Sequence, residues 1–363
     1  MSFTHPLSVV VRPALLAPLL LALLALGGCR EATPVNTTRL QAFGESLDLT
    51  LVGVAPEQAA RARAELAEDL TFRTRAWNPW TAGALADLNR RLATGAPLTV
   101  PPSVLALLRT GQRLAAQSEG LYNPALGGLV ALWGFDRIPP RADPPTQRQL
   151  ETLLNSAPRI DQIELDGIEI RAAAPGTQLD FGRLAPALAV DLAIARLHEL
   201  GIVNALIQRD GDWRASGDRG GQPWRVPILR AGGSGVLAIV ALRRDEALGT
   251  VADHQRDFIH QGRIYHDVLD PRSGRPARAS RAVTVLLPDL ASATVAARAL
   301  FVAGPEHWLE VAQRMGVTEA LLIDRSGEVH VTQALWSRLE RIDPGARIHR
   351  VNPITTEAAT IAP

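Results

Sequence analysis

Only one of the 363 residues is a cysteine, Cys29, so no disulfide can brace this chain and its fold must stand on a hydrophobic core alone. The means are present: 47% of the residues are hydrophobic and 21% charged, enough for one large domain or two small ones. A formal net charge of +1 leaves no electrostatic footprint for nucleic acid. All 38 basic residues are arginine. Without lysine, Schiff-base and lysine-nucleophile mechanisms are excluded, and every fixed cation has to be a guanidinium.

Near the N-terminus, Arg12 precedes an apolar run from Ala14 to Leu26. The run is short for a membrane span, which needs about 20 residues, and suits a signal peptide. It ends at Leu26-Gly27-Gly28-Cys29, small residues before a cysteine as in a bacterial lipobox. The expectation is a signal peptide over 1–28 and a lipidated Cys29 holding the protein to the periplasmic face of a membrane. A polar tether over 29–40, a folded domain over 41–340 and a tail over 341–363, disordered at its end, complete the expected layout.

Periodicity within the domain predicts a mixed α+β fold. Strands are expected at Ser46–Val54, Ile163–Ile170, Gly176–Phe181, Asn204–Gln208, Arg225–Leu229, Val236–Leu242, Arg263–Leu269, Ala282–Leu287 and Ala320–Ile323. Helices are expected over Pro56–Phe72, Pro101–Gln117, Pro186–Leu200, Ala291–Val302 and His307–Met315. The Asp270-Pro271 pair followed by Ser273-Gly274 is turn chemistry that stops the strand before it. The glycine-rich stretch 232–235 lacks the lysine and the helix of a phosphate-binding loop and reads as a turn.

The run Tyr265-His266-Asp267-Val268-Leu269-Asp270-Pro271 resembles a signature of the ApbE-like FAD:protein FMN transferases. So do Leu121-Tyr122-Asn123-Pro124 leading to Leu132-Trp133-Gly134-Phe135, then Leu179-Asp180-Phe181-Gly182, Ala189-Val190-Asp191, Pro223-Trp224-Arg225-Val226 and Ala299-Leu300-Phe301-Val302-Ala303-Gly304. Their order and spacing carry the likeness from about Phe43 to about Leu339. It implies an ApbE-like fold that binds FAD, holds magnesium at the pyrophosphate, and moves FMN to a threonine hydroxyl of a periplasmic flavoprotein, releasing AMP.

Residue by residue, the resemblance implies flavin contacts at Tyr122, Asp180, Gly182, Asp212, Thr250 and Asp253. It places Asp267 where the family has a proton-handling histidine, with His266 on the opposite face of a regular strand. Metal ligands are implied at the Ala185 carbonyl and at Thr294, and the second helix position, four residues on, holds Arg298. A guanidinium has no lone pair for a metal. The family's loop lysine corresponds to Pro186, and a family glycine to Asp210, whose charge would repel a diphosphate. Two readings follow: a working FMN transferase with unusual ligands, or a non-catalytic lipoprotein that binds a flavin or a partner.

Overall fold

The computed structural model describes residues 33–352 except 95–96, 138, 141–142, 156–157, 173 and 233. The expected signal peptide, Cys29 and the last eleven positions, 353–363, lie outside the described residues. A compact unit begins at Val35. Its centre is a nine-stranded sheet: β1 Val35–Ala42, β2 Glu45–Val52, β3 Ala205–Arg209, β4 Asp212–Ser216, β5 Ala247–Ala252, β6 Ser280–Leu287, β7 Glu319–Asp324, β8 Val329–Thr332 and β9 Ile348–Val351. Spatial order follows chain order, and every pair is antiparallel except the last, β8–β9.

Strand alternation sends neighbouring residues to opposite faces. Ala320 and Leu322 of β7 join one core cluster, Leu321 and Ile323 another. The first cluster is closed by helices α1 Pro56–Ala76, α2 Ala84–Leu92 and α3 Pro102–Gln117, together with α6 Leu184–Glu199 and α7 Leu290–Arg314. The second is closed by a small sheet of Trp224–Leu229, Val236–Leu242 and Leu339–Glu340. Burial on both faces explains why β6 and β7 read as almost unbroken apolar runs.

A third cluster lies apart from the sheet. Leu129 and Trp133 of α4 (Gly127–Trp133), Leu150 of α5 (Gln147–Asn155), Phe135, Phe258 and Leu269 pack together there. The Trp133 indole N–H donates to the Gly274 carbonyl at 2.7 Å, and Gly274 takes φ +65°. Two of the sequence motifs are thus one packing unit, with the tryptophan bolted to the proline turn.

Several expectations need correction. Residues 35–40, expected as tether, form most of β1, and residues 348–351, expected as tail, form the edge strand β9. Gly176–Phe181 is not a strand: a single bridge joins Gln178 to Leu126, the backbone of Leu179 bonds to the Asn89 side chain of α2, and the Asp180 N–H bonds to the Pro124 carbonyl. Ile163–Ile170 is a hairpin of Glu164–Asp166 and Glu169–Ala172. The strand Arg263–Leu269 splits into Arg263–His266 and Leu269–Asp270, with Asp267 in the break. The two helices expected after residue 290 meet at Gly304, whose φ of +75° bends α7 before Pro305.

Candidate active site

The segment from Leu179 to Gly182 is pinned by side chains in place of strand neighbours. Buried Asn89 accepts the Leu179 N–H at 2.8 Å and donates to the Leu179 carbonyl at 2.9 Å. The Asp180 N–H reaches the Pro124 carbonyl at 2.8 Å, and the Tyr122 hydroxyl donates to the Phe181 carbonyl at 3.1 Å. Tyr122 is therefore a buried strut, not a surface offered to a flavin, and burial drives its hydroxyl pKa well up. Gly182, by contrast, is exposed at φ +51° with open space where a side chain would stand.

Asp180 accepts the Gly182 N–H at 2.8 Å. Burial raises its pKa, against that hydrogen bond and the charges of Arg256 and Arg298, while the neighbouring charge of Asp267 raises it further. Asp267 lies in the strand break: its N–H donates to the Arg256 carbonyl at 3.0 Å, and its own carbonyl accepts from Leu269 N at 2.9 Å and Arg298 Nη2 at 2.8 Å. Arg256 also donates to the Phe135 carbonyl. Asp180, Asp267, Arg256 and Arg298 thus gather beside the open Gly182 turn. The helix α7, the Phe135 loop and the Asp267 break hold them together.

A second polar group is internal. Asp212 is fully buried; its Oδ2 accepts from Arg183 Nη2 at 2.8 Å and Arg209 Nη2 at 3.0 Å, and its Oδ1 from Thr250 N at 2.8 Å. Both oxygens are spent, so Asp212 is a structural hub and has no surface for a cofactor. Arg183 also donates to Asp210 at 2.7 Å and Arg209 to Glu45. Asp210 and Gly211 make the β3–β4 turn with φ +42° and +84°, the geometry of a two-residue hairpin. The Asp210 charge expected to repel a diphosphate is paired within the protein, by Arg183. The Thr250 hydroxyl likewise meets that of Thr284 at 3.1 Å.

The implied metal ligands do not assemble. Thr294 is buried and its Oγ1 has no partner among the described residues, which leaves one orphaned hard oxygen. Its neighbour one turn on is the Arg298 guanidinium. Ala185 sits in the first turn of α6, where the helical ladder claims its carbonyl. Among the described residues, neither Asp180 nor Asp267 belongs to a group of three metal-ligating side chains. A lone hydroxyl beside an arginine does not fit a divalent cation that takes about six oxygens.

Next to this cluster opens a cavity of about 410 Å³ lined by Asp253, His266, Arg263, Arg278, Arg281 and Arg325. Asp253 lies 3.5 Å from Arg281 and 3.6 Å from His254; burial would raise its pKa, but those two neighbours and His266 hold it below the usual range. His266 is buried, its Nδ1 has no hydrogen-bond partner among the described residues, and its ring is edge-on to Phe301 at 5.6 Å. Burial lowers its pKa against the pull of Asp267 and Asp253, so the imidazole is neutral at pH 7. Sequence periodicity turns His266 away from Asp267 on a regular strand; the structure breaks that strand at Asp267, and the Asp267 charge acts on the imidazole. Arg256, Arg278 and Arg325 gave no sequence signal beyond being arginines.

The ApbE family model matches residues 43–322. The chain is 37% identical over 335 residues to an FAD:protein FMN transferase of Rhodobacter capsulatus, covering 92% of this chain and 63% of that protein, so it spans less than two thirds of that relative. It is 31% identical over 280 residues to an FAD:protein FMN transferase of Treponema pallidum, covering 72% of this chain and 76% of the relative. An ApbE protein of Thermotoga maritima shares the fold at a TM-score of 0.76 and 22% identity, over 85% of this chain and all of that one. A flavinyl transferase ApbE of Pseudomonas stutzeri superposes at 0.73 with 27% identity, over 84% of this chain and 97% of the other. With the family's motifs packed where the α+β fold brings them together, this chain belongs to the ApbE family.

Proposed function

We propose that the protein is an FAD:protein FMN transferase whose diphosphate is met by guanidinium groups. The observation that carries this reading is the gathering of Arg256 and Arg298 with Asp180 and Asp267 beside the exposed Gly182, next to an arginine-lined cavity. In the reaction an acceptor threonine oxygen bonds to the FMN phosphorus, the phosphoanhydride bond to AMP breaks, and AMP leaves with the electron pair. The hydroxyl proton passes to a base beside the diphosphate. Asp267 is the carboxylate at the family's histidine position, and neutral His266 is the second acceptor within the same field. Arginine suits the phosphate oxygens because its fork donates two parallel hydrogen bonds and keeps its charge.

Lipidation at Cys29, a periplasmic location and a flavoprotein acceptor in that compartment belong to the same proposal, supported by the Leu26–Cys29 motif. The non-catalytic reading has one observation in its favour, the absence among the described residues of a fitting donor set around Thr294. Intact mass of an FMN-accepting domain, after incubation with the protein and FAD in EDTA, separates the two. A mass gain of one FMN supports transfer on guanidinium groups. An acceptor unchanged both in EDTA and with added magnesium overturns the transferase reading, and a gain only with magnesium overturns the guanidinium one.

A further inference from the structure

The turn between β7 and β8 and the parallel edge strand β9 bring together two carboxylates and two imidazoles that the flavin site does not use. Register pairs His330 of β8 with His349 of β9, and their rings stack with centroids 5.3 Å apart. His330 Nε2 lies 3.1 Å from Asp324 Oδ2, and His349 Nε2 lies 3.1 Å from Glu328 Oε2. One ligand atom each from Asp324, Glu328 and His330 falls within 4.8 Å of the others. From these distances we propose a transition-metal site of the zinc class, formed by Asp324, Glu328, His330 and His349.

Bonds of about 2.0–2.1 Å to four tetrahedral ligands put neighbouring ligand atoms ~3.3 Å apart. The two observed nitrogen–oxygen pairs are within a few tenths of an ångström of that spacing. Asp324, Glu328 and His330 already lie within 4.8 Å of one another, and His349, which touches only Glu328 of the three through its Nε2, must move inward to complete the set. The donors are also the right kind: imidazole nitrogen favours zinc, nickel or copper over magnesium, which prefers oxygen and an octahedral shell.

The site has the outer support that metal carboxylates use. Asp324 Oδ1 accepts from Ser326 N at 2.8 Å, Ser326 Oγ at 2.7 Å and Glu328 N at 3.0 Å, which leaves Oδ2 to face His330. One competitor is present, Arg347, whose Nη1 is 3.7 Å from Glu328 Oε1. It approaches the oxygen that His349 does not touch, and so leaves Oε2 available to an ion.

The test is titration of the full-length chain, purified without an affinity tag, with Zn2+ by calorimetry and with Co2+ by visible absorption. The expected result is one equivalent bound, with the intense bands of tetrahedral cobalt, and no competition from excess Mg2+. His330→Gln and His349→Gln should each weaken binding at least tenfold. Asp324 is left intact because it also shapes the turn, and melting curves of the metal-free variants check that they fold. Failure of the wild type to bind, octahedral cobalt spectra, or folded His330→Gln binding zinc as tightly as wild type would overturn the assignment.

Discussion

Replacing Asp212 by asparagine tests whether this carboxylate is a cofactor contact, as the family resemblance implies, or the hub that the structure shows. The side chain is wholly inaccessible and accepts three donors: Arg183, Arg209 and the Thr250 N–H. Asparagine keeps the volume but removes the charge and turns its N–H either toward both guanidiniums or toward the Thr250 N–H. Donor then faces donor, beside an Arg209 that is only 1% exposed. Breaking a buried ion pair from one side costs ~3–5 kcal/mol. Glu45 and Asp210 remain to share the freed arginines, so the lower end, about 3 kcal/mol, is expected here. An unfolding entropy of about 2.1 cal/mol/K per residue over roughly 320 residues converts this to a Tm fall of about 4–5 °C. Calorimetry of the FAD-free protein reads it directly. A variant that melts within about 1 °C of wild type yet binds FAD much more weakly would refute the hub and restore Asp212 to the cofactor.

Other consequences follow from the same geometry. Gly249→Ala would place a methyl 2.6 Å from Thr294 N and 2.7 Å from the Ala293 carbonyl carbon, backbone atoms that cannot swing aside, so α7 must shift. A loss of about 1–3 kcal/mol in chemical denaturation is expected, together with weaker flavin binding. Unchanged stability would show that the helix does not pack there. Because burial lowers the His266 pKa below its unfolded value, the unfolded chain binds more protons beneath about pH 6.5, and stability falls as pH drops from there through the folded pKa. His266→Gln should flatten that part of the Tm–pH profile; an identical slope would contradict it. In the double variant Thr294→Asp with Arg298→Thr, two oxygen ligands replace a hydroxyl and a guanidinium on one helix face. FAD binding, followed by flavin fluorescence, should become EDTA-sensitive in the variant and stay insensitive in wild type. A magnesium requirement in the unaltered chain would sink the argument.

The sequence by itself determined the fold class and most of the elements, because those depend on local chemistry. Apolar runs such as 282–287 and 320–323, the helix opening at Pro102 and the Asp270-Pro271 turn all declare themselves within a few residues. Strand β5 did not: Ala247, Gly249 and Ala252 have little intrinsic preference for a strand, and only contact with β4, β6 and α7 makes one. Strand β9 likewise exists because β8 offers an edge to pair with.

For the site, sequence gave the positions and tertiary structure decided their use. Asp212 and Asp210 are read from sequence one by one, as a cofactor contact and a repelling charge, and the fold pairs both with Arg183 across a chain separation of nearly thirty residues. His266 and Asp267 are adjacent in sequence, and alternation assigns them to opposite faces. The hydrogen bonds of Arg298 and Leu269 to the Asp267 carbonyl accompany the end of that alternation. Such outcomes depend on partners far away along the chain, and distance in sequence carries no information about which buried charge will find which partner.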